Sequence, residues 1–218
     1  MESVLEHSGG TLRRLIIIDD QSTDESLAHA VDDLESFDPR IRILRNVHKL
    51  GYVGSCNRGL SERQGDAVLL RSDYVVYENW LCELAAVARA EERTACVSPL
   101  SSSAGICSVP ELNRESFGDA ITEEDVRTAC AGLPRWTLAP ALVSSCIYLN
   151  GDVLDAVGLL DTSLTNGCTA INQWILLAQS LGFSAKRANH VYISRTRDRK
   201  STRLNPSHLK LSRMPSSA

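Results

Sequence analysis

The segment LIIIDDQSTDES (15–26) sets four apolar residues directly against two adjacent carboxylates, Asp19 and Asp20, followed by hydroxyls and further acids. A second apolar run, AVLLRSD (67–73), also ends in a carboxylate, Asp73, preceded by Arg71 and Ser72. Between the two runs lies NRG (57–59), with Asn57 and Gly59. A carboxylate at a strand end can accept hydrogen bonds from a base or a ribose, or hold a hard divalent cation against phosphates. In open α/β sheets, ligands bind at the carboxyl ends of the strands. Two acid-ended runs in one domain therefore point to a shared ligand, in preference to two unrelated solvated turns.

The elements that would position these acids follow from periodicity. Leu15-Ile16-Ile17-Ile18 has the β-branched content of a strand buried on both faces. Ser22, Thr23 and Asp24 read as turn or cap residues before a helix carrying Leu27, Ala28, Ala30, Val31 and Leu34. IRILRN (41–46) predicts a second strand. In HKLGYVGSCNRGL, Gly51, Gly54 and Gly59 are expected to loosen a loop leading into a short helix. Beyond the third strand, the spacing predicts a helix over 78–92, a strand followed by a hydroxyl-rich loop over 95–103, and a polar, partly helical stretch over 111–138. A strand over 141–150, helices over 151–161 and 171–183, and a final strand over 184–194 complete the pattern. Alternation of strand and helix over most of the length predicts an α/β domain with a mostly parallel sheet flanked by helices.

The chain of 218 residues is long enough for one such domain with a sizeable core. No apolar run is long enough to span a membrane, and MESVLEHSGG is too polar for a signal peptide. The seven cysteines are odd in number and form no Cys-x-x-Cys pair, so reduced thiols in a cytoplasmic protein are expected. The net charge of −4 is uneven: residues 195–218 hold seven Lys/Arg and one acid, leaving the remainder at −10. An acidic body argues against nucleic acid as partner. Residues 196–218, rich in Ser and Arg with two prolines, predict a disordered basic tail outside a domain at 1–195.

Taken in order, LIIIDDQSTDES, RILRNVHKLGYVGSCNRGL, GDAVLLRSDYVVYENWLCEL, CVSPLSSSAGICSVP and VSSCIYLNGDVLDAVGLLD resemble a family 2 glycosyltransferase of the GT-A fold, a Rossmann-like α/β architecture. The resemblance covers about residues 1–195. It implies that Asp19 and Asp20 meet the base and ribose of a nucleotide-sugar donor. It places Asn57 and Gly59 in a loop lining the nucleotide pocket. It makes Arg71-Ser72-Asp73 the motif, and Asp73 the ligand, for a divalent cation (Mg or Mn) on the diphosphate. The implied acceptor is a glycan or a lipid-linked sugar, reached from the cytoplasm, including the inner face of the membrane, in building a surface polysaccharide.

Departures from the family pattern shape the expectation. Arg71 stands where family members commonly have Asp or Asn; a cation there would repel a metal or replace it as phosphate partner. Ala170, Ile171 and Gln173 stand where the family has acids, Ile171 at the position of the general base, and none of the three can take a proton. Arg195 stands where a His is common, and His190 is read as structural. The family's first strand is absent, because the chain opens on what reads as the following helix. The tail DRKSTRLNPSHLKLSRMPSSA is similar to translated sequencing-adapter DNA, so its charge is discounted and a non-native origin is expected. Two readings follow: a copy of a transferase that is inactive as written, or a binding relative that keeps a nucleotide-sugar or glycan cleft.

A phosphoacceptor receiver domain also opens with an apolar strand and an acid pair. Here no Lys follows Asp73 until Lys186, too late for that class. Trp80 has the spacing of a core residue, whereas Trp174 and Trp136 are open between core and acceptor contact. The cysteines read as packing residues, and LSSSAG (100–105) as a hydroxyl-rich surface loop.

Overall fold

The computed structural model describes residues 1–23, 37–102, 107–108, 122–142 and 145–196. The helix expected around 27–34, much of 103–121 and the basic tail lie outside the described residues.

The first strand, β1 (Leu15–Asp19), pairs in parallel with β2 (Ile41–Arg45), in a register that sets Leu15 opposite Ile41 and Asp19 opposite Arg45. In β2, Ile41 and Leu44 are buried, one on each face of the strand, while Arg42 and Arg45 are exposed. The larger sheet runs in the order β3 (Ala67–Leu70), β7 (Cys146–Leu149), β5 (Thr94–Ser101), β8 (Ser184–Arg195) and β4 (Tyr74–Val75), with β6 (Trp136–Leu138) also on β8. β5 and β8 are parallel, and β7 is antiparallel to both β3 and β5. The strands β3, β5 and β8 therefore share one direction, with β7 reversed between the first two. This is the expected α/β sheet flanked by helices. Among the described residues no strand precedes β1, and none joins the two sheets by a hydrogen-bonded ladder.

Both faces of the large sheet are covered, which is why its strands read as continuous apolar runs. Successive residues alternate between two cores. Cys96, Ile147 and Leu149 join Val53 and Leu60 of α2 (Gly51–Ser61), Leu154 of α5 (Gly151–Val157), and Ile171, Trp174 and Ile175 of α6 (Gly167–Ser180). Val97, Cys146 and Tyr148 join Val4 of α1 (Glu2–His7) and Trp80, Leu84 and Val87 of α3 (Trp80–Arg89) on the opposite face. Leu15 of β1 and Val68 and Leu70 of β3 pack against this second core. Helix α4 (Glu123–Ala131), opened by a capping box between Thr122 and Asp125, and strand β6 occupy the end of the stretch expected to be partly helical.

The glycine-rich stretch 51–61 differs from expectation: it is one continuous helix of 11 residues, so Asn57 and Gly59 are not in a loop. Its glycines serve close approach. A side-chain carbon at Gly59 would stand 2.8 Å from Ile18 Cδ1, and one at Gly54 2.9 Å from Leu50 Cβ. Gly51 opens the helix at φ +70°, which glycine adopts without steric penalty.

Candidate functional site

The acid pair that ends β1 is built into the chain around it. The Asp19 carboxylate accepts from the Ser22 backbone N–H at 2.8 Å and lies 3.9 Å from the Arg45 guanidinium. Asp20 accepts from Asn46 Nδ2 at 2.7 Å, Leu50 N–H at 2.7 Å and Gly51 N–H at 2.8 Å. It thus satisfies donors at the start of α2, whose preceding residue Leu50 offers no side-chain cap. Partial burial pushes the Asp20 carboxyl up, but the bonds from Asn46, Leu50, Gly51 and Ser55 outweigh it and hold the group below the usual carboxylate range. Between the acids and the cap, Gln21 turns the chain at φ +59° and donates to the Val47 carbonyl at 2.6 Å. Asn46, buried at the end of β2, also bonds Ser55 Oγ at 3.0 Å and accepts from Arg58.

The acid that ends β3 has different neighbours. Asp73 receives a two-point contact from Arg71, Nε to Oδ1 at 3.0 Å and Nη2 to Oδ2 at 2.9 Å. Arg195, at the end of β8, adds Nε to Oδ2 at 2.9 Å. Desolvation acts to raise the Asp73 carboxyl, but the two guanidiniums prevail and hold it below the usual range. Reciprocally, the bond to Asp73 raises the Arg71 guanidinium further. The backbone is latched separately: the Asp73 carbonyl accepts from Thr196 N–H at 2.8 Å and Thr196 Oγ1 at 2.7 Å. Ser72 lies exposed in the turn between β3 and β4.

Tyr52, which the sequence reading passed over, links the two ends. It is the second residue of the helix that Asp20 caps, its ring lies in the field of Arg71, and its hydroxyl is raised by burial. Gly167, the first residue of α6, sits so close that a side-chain carbon there would meet the Tyr52 ring at 2.4 Å. A glycine at 167 is therefore the signal that a ring is stacked against the start of α6. Tyr52 therefore stands between the helix start that Asp20 caps and the start of α6.

At the start of α6, Ala170 and Ile171 are both 0% exposed and belong to the core shared with Trp174 and Ile175. The solvated residues of the first turn are Cys168 and Thr169. Gln173 reaches Asp161 Oδ2 at 3.4 Å, and Asp161 is held below the usual range by the bonds from Ser163 and, more weakly, by Gln173. Asn57 commits both ends of its amide to the Leu160 backbone, Nδ2 to the carbonyl at 2.7 Å and Oδ1 from the N–H at 2.9 Å. Geometrically, Asn57 and Gly59 hold α2 against its neighbours.

Trp174 is core, its Nε1 donating to the Gly158 carbonyl at 2.8 Å. Trp80 is core as expected, and Trp136 lies beneath the buried Lys186 ammonium, 4.2 Å from the ring centroid. His190 is held between the Arg135 carbonyl at 2.8 Å and Glu83 at 2.9 Å, which matches a structural role. All seven cysteines are free, and burial raises the Cys56 thiol to about 11.

The larger sheet, with β7 reversed between parallel neighbours and Asp73 beyond β3, together with the separate β1–β2 pair and Asp20 beyond β1, makes a GT-A-like glycosyltransferase fold. The sequence model for glycosyl transferase family 2 matches residues 1–113, and the chain belongs to that family. Among solved structures it is similar to GalNAc-T7 crystallised with UDP, GalNAc and Mn2+, with a TM-score of 0.69 at 17% identity over 89% of this chain. It is also similar to the mannosyltransferase PcManGT from Pyrobaculum calidifontis in complex with GDP-Man and Mn2+, with a TM-score of 0.64 at 15% identity over 89% of this chain. The chain spans 40% and 51% of the lengths of those two proteins. No curated protein sequence matches it. Among the described residues, no helix is long and apolar enough to cross a membrane.

Both neighbours hold Mn2+, so the fit of a divalent cation to Asp73 can be tested on the residues here. A hard cation needs several oxygen ligands free of competing charge. Both Asp73 oxygens already face guanidinium nitrogens, so two positive charges adjoin the carboxylate expected to ligate the cation. Among the described residues no group of three His, Cys, Asp or Glu could hold a metal ion. The residues at this strand end do not fit the expected cation.

Proposed function

We propose that this domain binds a nucleotide-sugar at the β1 and β3 ends and supports little or no sugar transfer as the sequence stands. The family and the fold support the ligand class. The observation that carries the second part is the start of α6, where Ala170 and Ile171 are fully buried and the solvated first-turn residues are Cys168 and Thr169. An inverting displacement needs a group that takes the acceptor hydroxyl's proton as the bond to the sugar forms. Asp161, joined to this helix through Gln173, has its carboxyl held low and is a weak base. In this reading Asp19 lies toward the base and ribose, while Asp20 fixes the helix start beside them. The acceptor class, a glycan or a lipid-linked sugar met on the cytoplasmic side of a membrane, follows from the family alone.

The test is to offer the full chain UDP- and GDP-hexoses, measuring bound nucleotide by calorimetry and released nucleoside diphosphate by a coupled assay. Saturable binding with release no faster than a protein-free blank is expected. Release well above the blank would overturn the non-catalytic reading, and failure to bind any nucleotide would overturn the reading as a whole.

A further inference from the structure

The Arg71–Asp73–Arg195 group is more than a fastening between the β3–β4 turn and the end of β8. That fastening is already made by the backbone, through the two bonds from Thr196 to the Asp73 carbonyl. The side chains add a second feature, two guanidiniums meeting one carboxylate, Arg71 from the β3–β4 turn and Arg195 from the end of β8. Each guanidinium carries five N–H donors, and Asp73 engages Arg71 through Nε and Nη2 and Arg195 through Nε. The side chains of Arg71 and Arg195 are 45% and 46% exposed, so donors beyond those bonded to Asp73 remain accessible. The group carries a net charge of +1, and its carboxylate fixes the orientation of both cations without cancelling them.

Guanidinium is the side-chain group best matched to phosphate oxygens, because its planar fork can donate in pairs. We propose that Arg71 and Arg195, oriented by Asp73, hold the diphosphate of the bound nucleotide in place of a divalent cation, so that nucleotide binding by this chain needs no metal. The proposal rests on the nucleotide-binding reading above and specifies how the phosphates are held. It assigns Asp73 a positioning role and Arg71 and Arg195 direct contact with the ligand.

The experiment is a calorimetric titration of the full chain with UDP and GDP, and with UMP and GMP, in excess EDTA and in excess Mn2+. The diphosphates are expected to bind in EDTA, about tenfold more tightly than the monophosphates, and no more tightly in excess Mn2+, which competes with the two guanidiniums for the same phosphate oxygens. Arg71→Ala and Arg195→Ala should each weaken diphosphate binding about tenfold and leave monophosphate binding less changed, with Arg71→Lys intermediate because it keeps the charge without the fork. Adding protein to Mn2+ and nucleotide should give no protein-bound Mn2+ resonance, the free-ion signal holding or rising as nucleotide is withdrawn from the metal. Diphosphate binding that requires Mn2+ would overturn this proposal and leave the nucleotide-binding reading standing. Binding unchanged in both alanine variants would also overturn it, and absence of binding in either condition would overturn both. If a variant loses its far-UV circular dichroism, the EDTA comparison on the unmodified chain still decides.

Discussion

The two acid-ended strands look alike in sequence and differ in what surrounds their carboxylates. At the end of β1, Asp20 is met by neutral donors, an amide side chain and two backbone N–H groups at a helix start. At the end of β3, Asp73 is met by two guanidiniums. The first end is a carboxylate used as a cap, and the second is a cationic pair organised around an anion. A carboxylate lowered by neutral donors keeps its negative field, whereas one lowered by two cations reverses the sign of its neighbourhood. The same residue type therefore suits opposite ligand groups at the two ends.

The comparison is broken most severely by placing a carboxylate where neither kind of donor exists. Ile171→Asp puts one into the core at a position with 0% exposure. A cost of about 3–5 kcal/mol is expected, enough to unfold much of the population. Urea denaturation checks it, and a variant as stable as the parent would show that the start of α6 is looser than described.

A smaller effect is expected from Asp20→Ala, which strips the cap from α2 and frees Asn46. A loss of about 1–2 kcal/mol is expected. Hydrogen exchange should show the loss of protection concentrated in 46–55. A loss spread evenly over the chain would argue that Asp20 is not a local cap.

The smallest effect belongs to Asp73→Asn, because its ion pairs are partly solvated, with the Asp73 side chain 29% exposed. About 0.5–1 kcal/mol is expected at neutral pH. The Asp73 pKa is lowered on folding, so its contribution is present above the unfolded value of 3.8 and is lost as pH falls through the lower folded value. The stability gap between parent and Asp73→Asn should be full at about pH 6 and vanish on acidification below 3.8. A gap that persists in acid would assign the effect to packing.

Much of the architecture was legible in the chain. The apolar run of Leu15–Ile18 and the spacing of Trp80, Leu84 and Val87 depend on local propensity and on burial of one face, both carried by neighbouring residues. The same holds for the helix containing Trp174, although its start at Gly167 falls four residues before the apolar period begins. The polar cap Asn166 sets that boundary by accepting from Cys168 and Thr169 N–H, a bond that periodicity does not register. The stretch 51–61 was misjudged because glycine lowers helix propensity. Its close packing on Ile18 is a contact between residues far apart in sequence.

The sequence by itself determined the alternation of strand and helix, the two carboxylate-ended runs, and the presence of Arg71 beside Asp73 and of Ile171 in an apolar helical stretch. Tertiary structure alone decided what those residues meet. It brought Arg195 from the end of β8 to Asp73, an acid 122 residues earlier, and put Tyr52 against the start of α6. It also turned Asp20 into a cap and sealed Ile171 in the core. The physical reason is the range of the forces involved. Backbone propensity and hydrophobic period act over a few neighbouring residues, whereas the charge state and role of a carboxylate depend on whichever donors the folded chain brings within about 3 Å of it.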